Sequence, residues 1–398
     1  MCLMGKWPWK GLRGGPVEFG SPLQGMKPES MEKYDLIIVG AGPGGLASAI
    51  TAQQLGLSYL VVEKGKRVFQ GIIDSYPRGK KVYPTIPKGE DGPFPVEDLA
   101  PSLDNNPVEE YVDRIEACVD KREIAIRLSE EFQNILRDKS EFTVATSADR
   151  YRAAHVVLAF GSNIPGDLGI YGEAKTVARS LDSPEEHIGA PTLVLGGGNA
   201  AADIVATLSK VKRAAGDLTT VHWAHRAVQF KVDKDVARDL GEEILLGGNI
   251  RILPGAIPQI GEVDEDGVER LIIQTQKIHM DGGVELHQGM SFPMKHVIAC
   301  IGTQGPAPVF GSLGLQQIIC TEGVCKISKE GAQLLMLTPE LQTSVRGVYA
   351  IGGAISPAYI LISEKGVLRE QKHTNLIYTA VKDGVRVVES IAGQKFQT

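Results

Sequence analysis

Cysteine is scarce in this chain: five among 398 residues, at positions 2, 118, 300, 320 and 325, and no two of them separated by two residues as a Cys-x-x-Cys redox pair requires. An odd, scattered set excludes a disulfide framework and fits a reducing, cytoplasmic compartment. Long hydrophobic runs are also missing, since nothing approaches the ~18 consecutive apolar residues of a bilayer span, so no membrane crossing is expected. A basic excess is absent too. Lys plus Arg number 42 against 48 Asp plus Glu, a net charge of −6, which leaves no general attraction toward nucleic acid or anionic membrane. Near His222 and His225 there is no cysteine or third histidine at ligand spacing, so no metal site is expected. The first thirty residues have neither a continuous apolar core nor a small-residue cleavage site. They read as an irregular arm, and two readings of it stay open: translation that starts at Met26 or Met31, and a docking arm anchored by Trp7 and Trp9.

What is abundant is glycine, 46 residues or about 12% against a usual ~7%. Hydrophobic residues at 43% and charged residues at 23% describe a folded globular protein, and the length is that of two or three domains. The glycines are concentrated at turns. Tyr34 to Val39 is a short β-branched run suited to a strand buried on both faces, and it leads directly into Gly40-Ala41-Gly42-Pro43-Gly44-Gly45 and a helix-forming stretch from Leu46. In this Gly-x-Gly-x-x-Gly pattern Gly40 permits the turn, Gly42 lets backbone approach a pyrophosphate, and Gly45 lets the helix pack on the strand. A second run, Ser58 to Val62, ends at Glu63, 18 residues after Gly45, where an acid can accept hydrogen bonds from an adenosine ribose.

The arrangement recurs. Pro191 to Leu195 reads as a strand, Gly196-Gly197-Gly198-Asn199-Ala200-Ala201 as Gly-x-Gly-x-x-Ala, and Ala202 to Leu208 as a helix. The following strand, Leu218 to Ala224, ends at His225-Arg226 rather than at an acid, with Lys231 close behind. Cationic groups there can pair with the 2′-phosphate of NADPH, which is therefore expected over NADH, though NADH stays open. Apolar strands at 151–161 and 295–302 each run into a glycine and suggest the points where the chain crosses between domains. Near the end, Thr343 to Gly353 reads as a strand into the pair Gly352-Gly353, and Ser356-Pro357 as the N-cap and first residue of a helix.

This order of motifs over residues 33–392 resembles the pyridine nucleotide-disulfide oxidoreductase superfamily, and its compact size the low-molecular-weight thioredoxin reductase group. The resemblance implies an α/β fold of two Rossmann-like three-layer domains, the second inserted in the first: FAD-binding over 31–165 and 308–398, NAD(P)H-binding over 166–307. It implies that Gly40, Gly42, Gly45, Glu63, Lys64, Gly161, Gly352 and Gly353 hold FAD, that Gly196, Gly198, Ala201, His225 and Arg226 hold NADPH, and that the protein is a homodimer. The chain departs from that group at three points: the Cys-x-x-Cys is absent, the hinge Ala159-Phe160-Gly161 has Phe where Thr is usual, and Gly353 replaces an Asp. Bacilliredoxin reductases likewise lack the Cys-x-x-Cys and that Asp and have a similar 63–85 insertion, but usually carry a Cys where this chain has Gly44.

The function implied is an FAD-dependent NADPH oxidoreductase that passes electrons to an external disulfide, a bacilliredoxin-like protein, or a ferredoxin or flavodoxin. Its rivals are a ferredoxin or flavodoxin–NADP reductase and an FAD-binding electron-transfer subunit of a larger complex. Cys320 and Cys325 are spaced as in glutathione-reductase-type enzymes but follow the second glycine motif instead of the first, and are expected to be thiols without a redox role. No catalytic acid or base is expected. The helix beginning near Pro357 is expected to direct its positive end at the flavin.

Overall fold

The computed structural model describes residues 31–395, apart from 77–78, 105, 139–140, 163, 166–167, 173–176, 279–283, 287–288, 321–326, 329–330 and 364. The N-terminal arm with Trp7 and Trp9 lies outside the described residues, as does Cys325.

The β-branched run forms strand Lys33–Val39, whose Leu36, Ile37 and Ile38 are wholly buried. It is the centre of a sheet in which it pairs in parallel with Tyr59–Val62 on one side and with Arg150–Leu158 on the other. Val348–Ala350 adds a further parallel strand beyond Arg150–Leu158, and two antiparallel strands, Glu141–Thr146 and Phe132–Asp138, complete the edge. Continuous apolar sequence is what such parallel strands need, because helices cover both faces. Helix Pro43–Gln54 covers one face, and the long C-terminal helix Ile377–Lys395 lies against it. Their closest approach is at two glycines: a Cβ on Gly384 would stand 2.4 Å from the Gly44 carbonyl oxygen, and one on Gly44 would stand 3.0 Å from that of Ala380. A side chain at position 44 would therefore press on the Ala380 carbonyl and Ile351, which must each give by a few tenths of an ångström.

A second parallel sheet, of four strands, is built from Thr192–Leu195 flanked by Val221–His225 and Val297–Ala299, with Ile250–Pro254 at its edge. Helix Asn199–Ala214 packs on it through Ala201, Ala202, Ile204, Val205 and Leu208. This half of the chain has its own core. Two short strands, Ile164–Pro165 and Thr303–Gln304, pair antiparallel as the chain enters and leaves this half. A partly exposed salt bridge of 3.1 Å links Lys80 to Asp203 of helix Asn199–Ala214.

The C-terminal segment corrects one expectation. Ser356–Pro357 is a cis peptide bond followed by strand Ala358–Ile362, and the helix starts only at Ile377. The apolar run Ala358–Ile362 pairs antiparallel with Leu368–Lys372 as a hairpin instead of winding into a helix. The strand before Gly352 is also shorter than the sequence implies, only Val348–Ala350, because Thr343 to Gly347 form a turn held by Thr343 Oγ1.

Candidate functional site

Both glycine motifs form tight turns from strand to helix. Gly40 has φ +103°, and a Cβ there would stand 2.6 Å from the Ala159 carbonyl oxygen; one on Gly45 would stand 1.8 Å from the Gly40 carbonyl oxygen. Gly42 differs, since its Cβ direction is open space. Two glycines are thus fixed by protein packing and the third faces outward, the division of labour expected when backbone must meet a pyrophosphate. Helix Pro43–Gln54 has no side-chain cap and no acidic residue in its first turn, so its N-terminal N–H groups are left to an anion. The second motif repeats the pattern. Gly196 has φ +136°, and a Cβ there would stand 2.2 Å from the Cys300 carbonyl oxygen; Gly198 faces open space, and helix Asn199–Ala214 likewise lacks a side-chain cap and an acid in its first turn. Ala201, in the first turn of that helix, is fully buried against the sheet.

Glu63 does more than the sequence implied. Its Oε2 accepts from the Ala41 N–H and its Oε1 from the Gly65 N–H, both at 2.7 Å, so the carboxylate holds the glycine turn in place. A carboxylate has about four acceptor positions, which leaves room for ribose hydroxyls as well. Lys64 is exposed beside it.

At the second site His225 is half-buried against Phe230, and its ring blocks any side chain at Gly197. Burial, then the neighbouring Arg226 and Lys231, lower its pKa, so it is a neutral imidazole at pH 7. The cationic expectation therefore falls to Arg226, which is exposed, and to Lys231, whose N–H donates to the Gly197 carbonyl oxygen at 2.7 Å.

The structure brings Gly161, Gly352 and Gly353 together. A Cβ on Gly353 would lie 3.0 Å from the Ser162 amide nitrogen, 3.2 Å from Asn375 Oδ1 and 3.4 Å from the Gly161 Cα. Asn375, which donates from Nδ2 to Ser162 Oγ at 3.3 Å, occupies the space that an Asp at 353 would need. Phe160, in the hinge, packs on Phe132 and Phe310. Sequence reasoning missed Asn375 and three buried groups behind the Gly352 turn, Ser356, His373 and Asp383.

The cysteine expectation is corrected in one respect. Cys320 is disulfide-bonded and not a thiol; it is buried with Leu334 and Ile360 in a small separate core, and its partner lies outside the described residues. Cys118 and Cys300 are free. Burial pushes the Cys300 thiol up to about 12, which leaves it protonated and unreactive. Among the described residues no group of three metal-ligating side chains converges, and no helix is long and apolar enough to cross a membrane.

Comparison with known proteins agrees with this geometry. Residues 37–252 match the family model described as pyridine nucleotide-disulphide oxidoreductase. Among curated relatives, a ferredoxin–NADP reductase of Streptococcus agalactiae is 27% identical over 277 residues, 68% of this chain and 73% of that protein. One of Ignicoccus hospitalis is 26% identical over 326 residues, 81% of this chain and 90% of its own. Among solved structures, bacillithiol disulfide reductase from Staphylococcus aureus superposes with a TM-score of 0.64 at 18% identity, covering 92% of this chain and all of that one. Thioredoxin reductase from T. acidophilum superposes with a TM-score of 0.60 at 17% identity, covering 92% and 99%. The fold is thus the thioredoxin reductase-like arrangement of two Rossmann domains, and the family implies the use of FAD and NAD(P)H. With more than half of its length matched and both glycine cradles formed, the chain belongs to the pyridine nucleotide-disulphide oxidoreductase family.

Proposed function

We propose that the protein carries electrons from NADPH through FAD to a small external redox protein of the ferredoxin or flavodoxin type. One observation carries this reading. Among the described residues two open glycine cradles occur in one chain, yet no reactive cysteine lies beside either: Cys300, next to Gly196, is a half-buried thiol whose pKa is pushed up to about 12, and the Cys320 disulfide sits in a core apart from both motifs. Electrons delivered to the flavin then meet no thiol relay among the described residues and leave directly to a protein acceptor. The name carried by the curated relatives, ferredoxin–NADP reductase, points the same way.

In this reading Gly40, Gly42, Gly45 and the first N–H groups of helix Pro43–Gln54 bind the FAD pyrophosphate, with Glu63 at the ribose and Lys64 at its rim. Gly161, Gly352, Gly353 and Asn375 border the flavin. Gly196, Gly198 and Ala201 seat the NADPH pyrophosphate, Arg226 and Lys231 meet the 2′-phosphate, and His225 shapes the turn. The bound cofactors supply hydride transfer from nicotinamide to flavin, for which the protein contributes orientation and charge. No acid or base of this chain is required for that half-reaction.

The test uses FAD-loaded protein, NADPH and separate acceptors: an oxidised ferredoxin, a flavodoxin, bacillithiol disulfide and a bacilliredoxin in its disulfide form. Saturable, NADPH-dependent reduction of ferredoxin or flavodoxin is expected. Turnover confined to the disulfide acceptors would replace this reading by the disulfide reductase one.

A further inference from the structure

Behind the Gly352 turn lies a chain of three buried polar side chains. Ser356, His373 and Asp383 are 9%, 7% and 7% exposed. Ser356 Oγ stands 2.7 Å from His373 Nδ1, and His373 Nε2 stands 2.8 Å from Asp383 Oδ2. The chain closes on a single residue: Asp383 Oδ2 also accepts from the Gly352 N–H at 2.9 Å, and Ser356 Oγ lies 3.5 Å from the Gly352 carbonyl oxygen. Its two ends therefore meet at the turn that borders Gly161, Ser162 and Asn375.

The donor and acceptor inventory leaves two proton arrangements on the same heavy atoms. A carboxylate only accepts, so His373 Nε2 carries a hydrogen in both. With a neutral imidazole, Ser356 O–H donates to Nδ1. With an imidazolium, Nδ1–H donates to Ser356 Oγ, and the serine hydrogen turns to the Gly352 carbonyl oxygen. One rotation of a hydroxyl separates the two states, and neither leaves a buried donor unmatched. Charge distinguishes them. With neutral His373 the chain holds the single negative charge of Asp383; with protonated His373 it holds none. Among the described residues the other titratable group against this chain is Tyr359, whose ring is 6.3 Å from that of His373 and on which Arg386 and Arg369 act; Lys372, next in sequence to His373, is exposed.

We propose that Ser356, His373 and Asp383 form a redox-linked proton relay, in which His373 binds one proton from solvent when the adjoining FAD site is reduced and releases it on reoxidation. This rests on the flavin reading of the preceding subsection. Hydride transfer brings both electrons and one proton from NADPH and leaves one added negative charge in the FAD site. A nearby negative charge favours the protonated form of an imidazole, and the new Nδ1–H bond is the only bond formed in the chain. His373 is here a positioning and charge-balancing residue; it does not touch the reacting atoms.

The first measurement uses native holoprotein with 15N-labelled histidine, photoreduced anaerobically and compared with its oxidised form by long-range 15N–1H spectra at one pH between about 7 and 8. Of the eight histidines, one is expected to pass from a neutral to a doubly protonated pattern on reduction; eight unchanged patterns overturn the relay. The second is the flavin midpoint potential against pH. The native potential should fall with pH twice as steeply as that of His373→Gln, because one further proton accompanies each electron pair. Equal slopes with FAD bound to both overturn the relay alone. A purified protein that binds no FAD overturns the flavin reading, and the relay with it. Should His373→Gln not fold, Ser356→Ala, which removes the second arrangement while keeping the His373–Asp383 pair, takes its place in the slope comparison.

Discussion

Replacing Glu63 by alanine separates a structural from a ligand-binding role for the acid after the second strand. In the structure its two oxygens already accept from the Ala41 and Gly65 N–H groups at 2.7 Å each. Ala41 is completely buried, so its orphaned N–H has no water to turn to and costs about 1–3 kcal/mol. Gly65 is half-buried, its N–H can be hydrated in part, and its loss costs less. Together they make the apoprotein about 2–4 kcal/mol less stable, a sizeable share of the ~5–15 kcal/mol typical of a folded domain. Urea unfolding of apoprotein should show that loss before any FAD is added, and FAD titration should show a further weakening from the missing ribose acceptor. Glu63→Gln, which keeps one carbonyl acceptor, should fall between the two. An apoprotein of native stability that has merely lost FAD affinity would refute the argument that Glu63 holds the glycine turn.

Arg226→Ala should raise KM for NADPH severalfold and leave that for NADH nearly unchanged, with Lys231→Ala doing the same more weakly; equal losses with both coenzymes would make these residues structural. Gly384→Ala should destabilise by about 1–3 kcal/mol through overpacking, because its Cβ would stand 2.4 Å from the Gly44 carbonyl oxygen, whereas Gly393→Ala at an open position of the same helix serves as the control. His187 and His296 face one another with their Nδ1 atoms 3.2 Å apart, and burial, followed by the neighbouring His296, lowers His187 to about 4. Unfolded protein then binds more protons than folded protein between about pH 6.5 and 4, so stability should fall as pH drops through that window. His187→Phe should flatten this dependence, and an unchanged slope in stability against pH would contradict it.

The parts of the molecule legible in the sequence are those in which neighbours in the chain are neighbours in space. Strand, glycine turn and helix follow one another within about twenty residues at both motifs, so the turns at Gly40–Gly45 and Gly196–Ala201 are legible from spacing alone. What could not be read depends on contacts between distant segments. Asn375 meets Ser162 across more than two hundred residues of chain. The pairing of Ser356 with His373 exists because the hairpin of Ala358–Ile362 and Leu368–Lys372 brings the chain back, and that strand stands where a helix was expected. Glu63 was legible as an acid at the right spacing, but its grip on Ala41 and Gly65 is a property of the folded turn. The neutral state of His225 follows from burial against Phe230, which a linear pattern of cationic residues does not reveal.

The account stands most directly on electron entry from NADPH into FAD. Purified protein should be yellow, or become so with added FAD, and rapid anaerobic mixing with NADPH should bleach the visible flavin absorption, with one equivalent of NADPH sufficient per FAD. NADH should bleach it more slowly at equal concentration. A second equivalent consumed before bleaching is complete would show that the Cys320 disulfide takes part in the electron path. A colourless protein that binds no FAD, or a bound flavin that NADPH does not reduce, would contradict the account.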